Sequence, residues 1–151
     1  MTRTIPLLLS GVMMFGAASA FADGPKPEDA IKYRRGVMAA QGWNFKDMGA
    51  VVKGEAPYNK EAFAQRAANL AALSKMGLEG FTIAGSDKGE TKAKPEAFAE
   101  MDKFKGGMNK LETETAKLAQ VAAGGDLGAI KAQFGEVGKL CKGCHDNFRA
   151  K

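Results

Sequence analysis

Apolar residues recur at helical spacing in four stretches of this chain, and each stretch is bounded by residues that start or stop a helix. The first carries Ile31, Met38, Phe45, Met48 and Val52, with Val37 and Trp43 beside them. Pro27-Glu28-Asp29 opens it, because proline suits the first helical position and acids complement the positive helix N-terminus. A helix from 27 to about 52 would be roughly 39 Å long at 1.5 Å per residue. Lys53 to Pro57 breaks the pattern, and Asn59 is a natural N-cap for a second helix carrying Phe63, Ala67, Leu70, Leu73 and Met76. Gly77 and Gly80 end it. Pro95-Glu96 opens a third helix with Phe98, Met101, Phe104, Met108, Leu111, Leu118 and Val121 on one face. Gly106-Gly107 inside it predicts either a close helix contact or a tolerated imperfection, at about 1 kcal/mol per glycine. Gly124-Gly125 stops the third helix, Asp126 caps a fourth, and Leu127, Ile130, Phe134, Val137 and Leu140 run along that one. The stretch from 80 to 94 has no periodicity and reads as one long loop.

Short connections between helices one and two and between three and four, with a longer one in the middle, predict an all-α, antiparallel up-down-up-down four-helix bundle. Ahead of it, Arg3, the apolar run Ile5 to Phe15 and the A-x-A site Ala20-Phe21-Ala22 predict a cleaved secretory signal over residues 1–22, with a cut after Ala20 as an alternative. That apolar run is too short to span a bilayer. The remaining residues, 23–151, make one domain with enough chain to bury a core.

Charge narrows the partners. The whole chain has 22 basic and 17 acidic residues, a formal +5, and removal of residues 1–22 takes away Arg3 alone, leaving +4. Dispersed lysines on such a surface predict no nucleic-acid partner, which would need a concentrated basic face, and no membrane partner is indicated.

The chemistry is concentrated in Cys141-Lys142-Gly143-Cys144-His145, six residues from the C-terminus. A structural zinc site needs four ligands, but the chain holds two cysteines and one histidine. A thioredoxin-like pair would sit between a strand and a helix start, whereas this one ends a helical pattern. C-x-x-C-H is the attachment signal for c-type haem: two thiols add to the two vinyl groups and the adjacent imidazole ligates the iron. On a helix these positions stand at i, i+3 and i+4, so one face presents all three. Haem c, one per chain, held through Cys141 and Cys144 with His145 on the iron, is therefore the expected cofactor. Covalent haem of this type is assembled outside the bacterial cytoplasm, so the mature protein is expected in the periplasm. Apart from His145 there is no histidine, no general base can be named, and enzymatic turnover is not predicted.

Together, the C-terminal haem motif, the stretch from Lys26-Pro27-Glu28-Asp29 to Tyr33-Arg34, and Val51 to Tyr58 resemble the cytochrome c′ family, class II c-type cytochromes, over the whole predicted mature chain. The resemblance implies Cys141 and Cys144 as thioether residues and His145 as proximal ligand. It implies Met38 over the distal haem face, Arg34 beside the haem propionates and Arg149 beside the proximal face. It further implies a five-coordinate, high-spin iron that binds NO and CO and disfavours O₂, electron transfer, and a homodimer through the first two helices. On the first helix, Met38, Ala39 and Phe45 are apolar and Gln41 is the one candidate donor, which suits NO better than O₂ because O₂ needs distal hydrogen bonds. Met38 and Phe45 are equally the kind of side chains that simply fill a core. Low-spin relatives with the same bundle use a methionine on the first helix as sixth ligand, so a His145/Met38 electron-transfer cytochrome is the alternative.

Overall fold

The computed structural model describes residues 24–151; the expected signal at 1–22 lies outside the described residues. The chain forms α1 (Pro27–Lys53), α2 (Lys60–Ser74), a 3₁₀ turn at Glu79–Phe81, a single turn α3 (Glu96–Ala99), α4 (Met101–Gly124) and α5 (Leu127–Phe148). Among the described residues there is no strand, only an isolated antiparallel bridge between Ala93 and Arg149. No helix among them is long and apolar enough to cross a membrane.

The expected caps form. Pro27 begins α1, and Gly54 closes it at φ 79°, donating to the carbonyls of Ala50 and Val51. Asn59 accepts from Ala62 N at the start of α2, and Asp126 accepts from Gly128 N and Ala129 N at the start of α5. Gly125, at φ 86°, turns the chain between α4 and α5. α4 packs along both α2 and α5, and α1 packs along α2, whereas α1 meets α5 over a short stretch only.

That stretch is held by Phe45 and Phe134, stacked with ring centroids 4.2 Å apart. Each ring lies over a glycine of the opposite helix: a Cβ on Gly49 would stand 3.5 Å from Phe134, and one on Gly138 would stand 3.4 Å from Phe45. On one side of this stack is a mainly aliphatic core of Met48, Phe63, Ala67, Leu70, Leu118, Ala122, Ile130 and Val137. On the other, Phe81, Ala97, Phe104, Met108 and Phe148 form a second, largely aromatic cluster.

Three details depart from the sequence pattern, and a fourth decides between two expectations. The third helix is not continuous: at Glu100 (φ −104°, ψ 45°) the backbone leaves the helical region, and α3 stands apart from α4. The break lets Ala97 and Phe98 on one side and Met101 and Phe104 on the other reach the same cluster. Trp43 is 65% exposed; the buried stripe of α1 runs through Arg34, Val37, Gln41, Asn44 and Met48, so polar residues take the inner positions near Trp43. Met76 lies beyond the end of α2 and is 41% exposed. Of the two expectations for Gly106 and Gly107 the close helix contact fails, since a Cβ on either would meet nothing within 4 Å.

Candidate haem site

α5 delivers its motif to the place where the two clusters meet. Ile130 and Val137, both fully buried, lock the helix onto the aliphatic core. One and two turns later Cys141 packs partly on that core and Cys144 on the aromatic cluster. Cys141, Cys144 and His145 all line a cavity of about 810 Å³, bounded opposite by Arg34, Met38, Gln41 and Phe45 of α1. Arg149 lines it just beyond α5, so the structure brings every residue singled out in the sequence to one space. Its size is that of a cofactor site, about 300–1,000 Å³.

Elementary electrostatics suit a ligating imidazole. Burial pulls the His145 pKa down, the positive charge of Arg149 adds to this, and Asp146 opposes it, so the ring favours the neutral form that binds metal. Burial raises both cysteine pKa values, and for Cys141 the neighbouring Cys144 adds to the rise. Both thiols stay uncharged at neutral pH. Both are free in this structure, and among the described residues no trio of His, Cys, Asp or Glu could hold a metal ion unaided.

The walls fit a flat apolar group. Phe81, Phe104, Met108 and Phe148 supply apolar surface. Gly42 of α1 and Gly107 of α4 face the space, and a Cβ on either would meet no protein atom within 4 Å. Each therefore leaves open volume in the cavity wall that a side chain would enter.

On α1 the polar groups are already engaged. Gln41 Nε2 donates to the Leu73 carbonyl at 3.1 Å, which ties the one candidate distal donor back to α2. Met38 packs against the aromatic cluster. Arg34 is buried, and burial lowers its pKa while Asp87 opposes the shift; an arginine keeps its charge regardless.

The residues that pattern reading missed are in the stretch from 80 to 94. It runs along the cavity, which Glu90, Thr91, Lys92 and Ala93 line together with Arg35. Gly80 was the available signal: a Cβ there would stand 2.8 Å from both the Ala30 carbonyl and the Arg34 Cβ, so only glycine lets the segment press onto α1.

Comparison with known proteins identifies the family. The family described as Cytochrome C′ matches residues 29–149. A cytochrome c′ of Halomonas halodenitrificans is 41% identical over 131 residues, covering 83% of this chain and 99% of the relative. The solved structure of cytochrome c prime from Shewanella frigidimarina superposes with a TM-score of 0.82 at 42% identity, over 85% of this chain and all of that one. A nitrosyl complex of a variant cytochrome c prime from Alcaligenes xylosoxidans superposes with a TM-score of 0.79 at 35% identity, over 85% of this chain and 100% of that one. The chain belongs to the cytochrome c′ family and carries haem c, with Cys141 and Cys144 placed for its covalent attachment.

Proposed function

We propose that this protein is a periplasmic monohaem cytochrome in which His145 ligates the iron from α5, the opposite side stays open, and that open side takes NO or CO. When bound, the haem would supply an iron that takes a small ligand and that also cycles between two oxidation states, the chemistry electron transfer needs. The observation that carries this reading is the state of the α1 wall. Gln41, its one neutral donor, is tied to the Leu73 carbonyl through Nε2, and Met38 and Phe45 present apolar surface. Such a wall, mostly apolar and with its one amide donor tied to α2, favours NO over O₂. The nitrosyl complex of the Alcaligenes protein supports the same ligand class.

Within this reading His145 binds iron through its neutral ring, and Arg149 lies beside it on the proximal side. On this reading Met38, packed against the aromatic cluster at the cavity wall, crowds the distal side and leaves the iron uncoordinated there. Residues 1–22 serve as the export signal and 23–151 as the mature haem domain. The exposed Trp43 on α1 supports self-association through α1 and α2, which sedimentation of the wild type against Trp43→Ser would test.

The decisive experiment is the optical spectrum of the holoprotein, ferric and ferrous, with and without CO and NO. A broad high-spin ferrous Soret band that sharpens with CO is expected, and Met38→Ala should bind CO faster. A split α/β spectrum indifferent to CO would instead put Met38 on the iron and make the protein a pure electron carrier.

A further inference from the structure

Arg34 is 2% exposed, and an arginine is buried at such cost only where its donors are met. Nη1 donates to the Gly80 carbonyl at 2.9 Å and to Ser86 Oγ at 3.1 Å. Nη2 donates to the Ser86 carbonyl at 2.7 Å and to Thr91 Oγ1 at 2.8 Å. Each terminal nitrogen has two hydrogens, so the whole outer fork of the guanidinium is committed to protein. Its carbon also lies 4.7 Å from the Phe81 ring centroid and 5.2 Å from that of Phe98. A haem carboxylate would compete with a full set of partners here.

All four hydrogen bonds go to one segment, and that segment continues to the other side of the cavity. Thr91 Oγ1 also accepts from Ala93 N at 3.1 Å. Immediately after it, Ala150 N donates to the Lys92 carbonyl at 2.8 Å and Lys94 N donates to the Phe148 carbonyl at 2.9 Å. Lys94 Nζ donates to the carbonyls of Asp146 and Asn147, at 3.0 and 3.2 Å, at the end of α5. Arg149 N in turn donates to the His145 carbonyl at 3.1 Å. A strap of chain thus joins α1, on the distal side, to the last turn of α5, on the proximal side.

We propose that Arg34 is a positioning residue: through Thr91 it holds the strap from 80 to 94 against the end of α5, and so sets the orientation of the His145 ring. The inference rests on His145 as iron ligand. Tyr33, the neighbouring residue on α1, provides the control, because its hydroxyl donates to Glu79 at 2.8 Å and reaches the 3₁₀ turn without touching Thr91.

The test uses ferrous holoprotein of the wild type, Thr91→Val, Arg34→Lys and Tyr33→Phe. Resonance Raman reads the iron–histidine stretching frequency, and trypsin reads opening of the strap at the exposed Lys88 and Lys92. Thr91→Val and Arg34→Lys should both shift the frequency and speed cleavage about tenfold, since each removes hydrogen bonds that close the strap. Tyr33→Phe should change neither. An unmoved frequency in Thr91→Val overturns the proposal whatever the cleavage rate, because the strap would then be structural only. An equal shift in Tyr33→Phe also overturns it. A wild-type protein with no iron–histidine band would sink the assignment of His145 itself, an outcome separate from these.

Discussion

The two ends of this bundle use the same helices to different effect. Below the Phe45–Phe134 stack, Ala67, Leu70, Leu118, Ala122, Ile130 and Val137 close the helices onto each other, and Ala67, Leu118, Ala122, Ile130 and Val137 have no exposed surface. Above it, phenyl rings, methionines and glycines line a cavity of about 810 Å³. Small and aliphatic side chains let helix axes approach until dispersion contacts fill the space. At the upper end α1 and α5 are instead joined indirectly, by the strap, and a cofactor fits between them. Stability and function are thereby placed in separate layers of one bundle.

The comparison breaks most completely at the motif. Replacing Cys141 and Cys144 by alanine should abolish covalent haem, read as loss of haem stain after denaturing electrophoresis, while the closed end keeps its helices by circular dichroism. Leu118→Ala strikes the other end. Leu118 has no exposed surface, so the change should cost about 2–5 kcal/mol in denaturant unfolding and leave the ferrous spectrum unchanged. A finer contrast lies in two adjacent glycines of α4. Gly106→Ala, on the exposed side, should stabilise the protein by up to about 1 kcal/mol with full haem content. Gly107→Ala, which projects a methyl into the cavity wall, should lower the haem-to-protein absorbance ratio despite the same helix propensity.

The smallest effect concerns the α4–α5 seam. Gln133 Nε2 donates to Glu114 Oε2 at 2.7 Å and Lys117 pairs with Glu114 Oε1 at 2.7 Å. The hydrogen bond from Lys117 and then that from Gln133 hold the Glu114 carboxyl below its ordinary pKa. A depressed folded-state pKa means stabilisation that is present above the unfolded value and lost as pH falls through the folded one. The thermal midpoint of Glu114→Gln should therefore match that of the wild type in strong acid and fall slightly below it near neutrality.

Helix starts were readable where local chemistry alone decides them: Pro27, Asn59 and Asp126 sit where they were expected, each satisfying or omitting a backbone donor. The break at Glu100 was not readable, because the apolar spacing of Phe98, Met101 and Phe104 continues through it. Trp43 misled for a related reason. Hydrophobicity marks what prefers burial, whereas the buried stripe of α1 includes Arg34 and Gln41, whose partners come from distant segments, and Asn44, which donates back to the Ala40 carbonyl and accepts from Asn69.

By itself the sequence determined the four long helical stretches, their order and the haem-bearing face of α5, because spacing, caps and the C-x-x-C-H motif act over a few residues. Only the tertiary structure decided what closes the cavity. Besides the hydroxyls of Ser86 and Thr91, the strap from 80 to 94 is held through carbonyls of Gly80, Ser86, Lys92 and Phe148, and every residue type has a carbonyl. Backbone acceptors leave no mark in a sequence, so the role of Arg34 emerges only once the chain has folded back upon it.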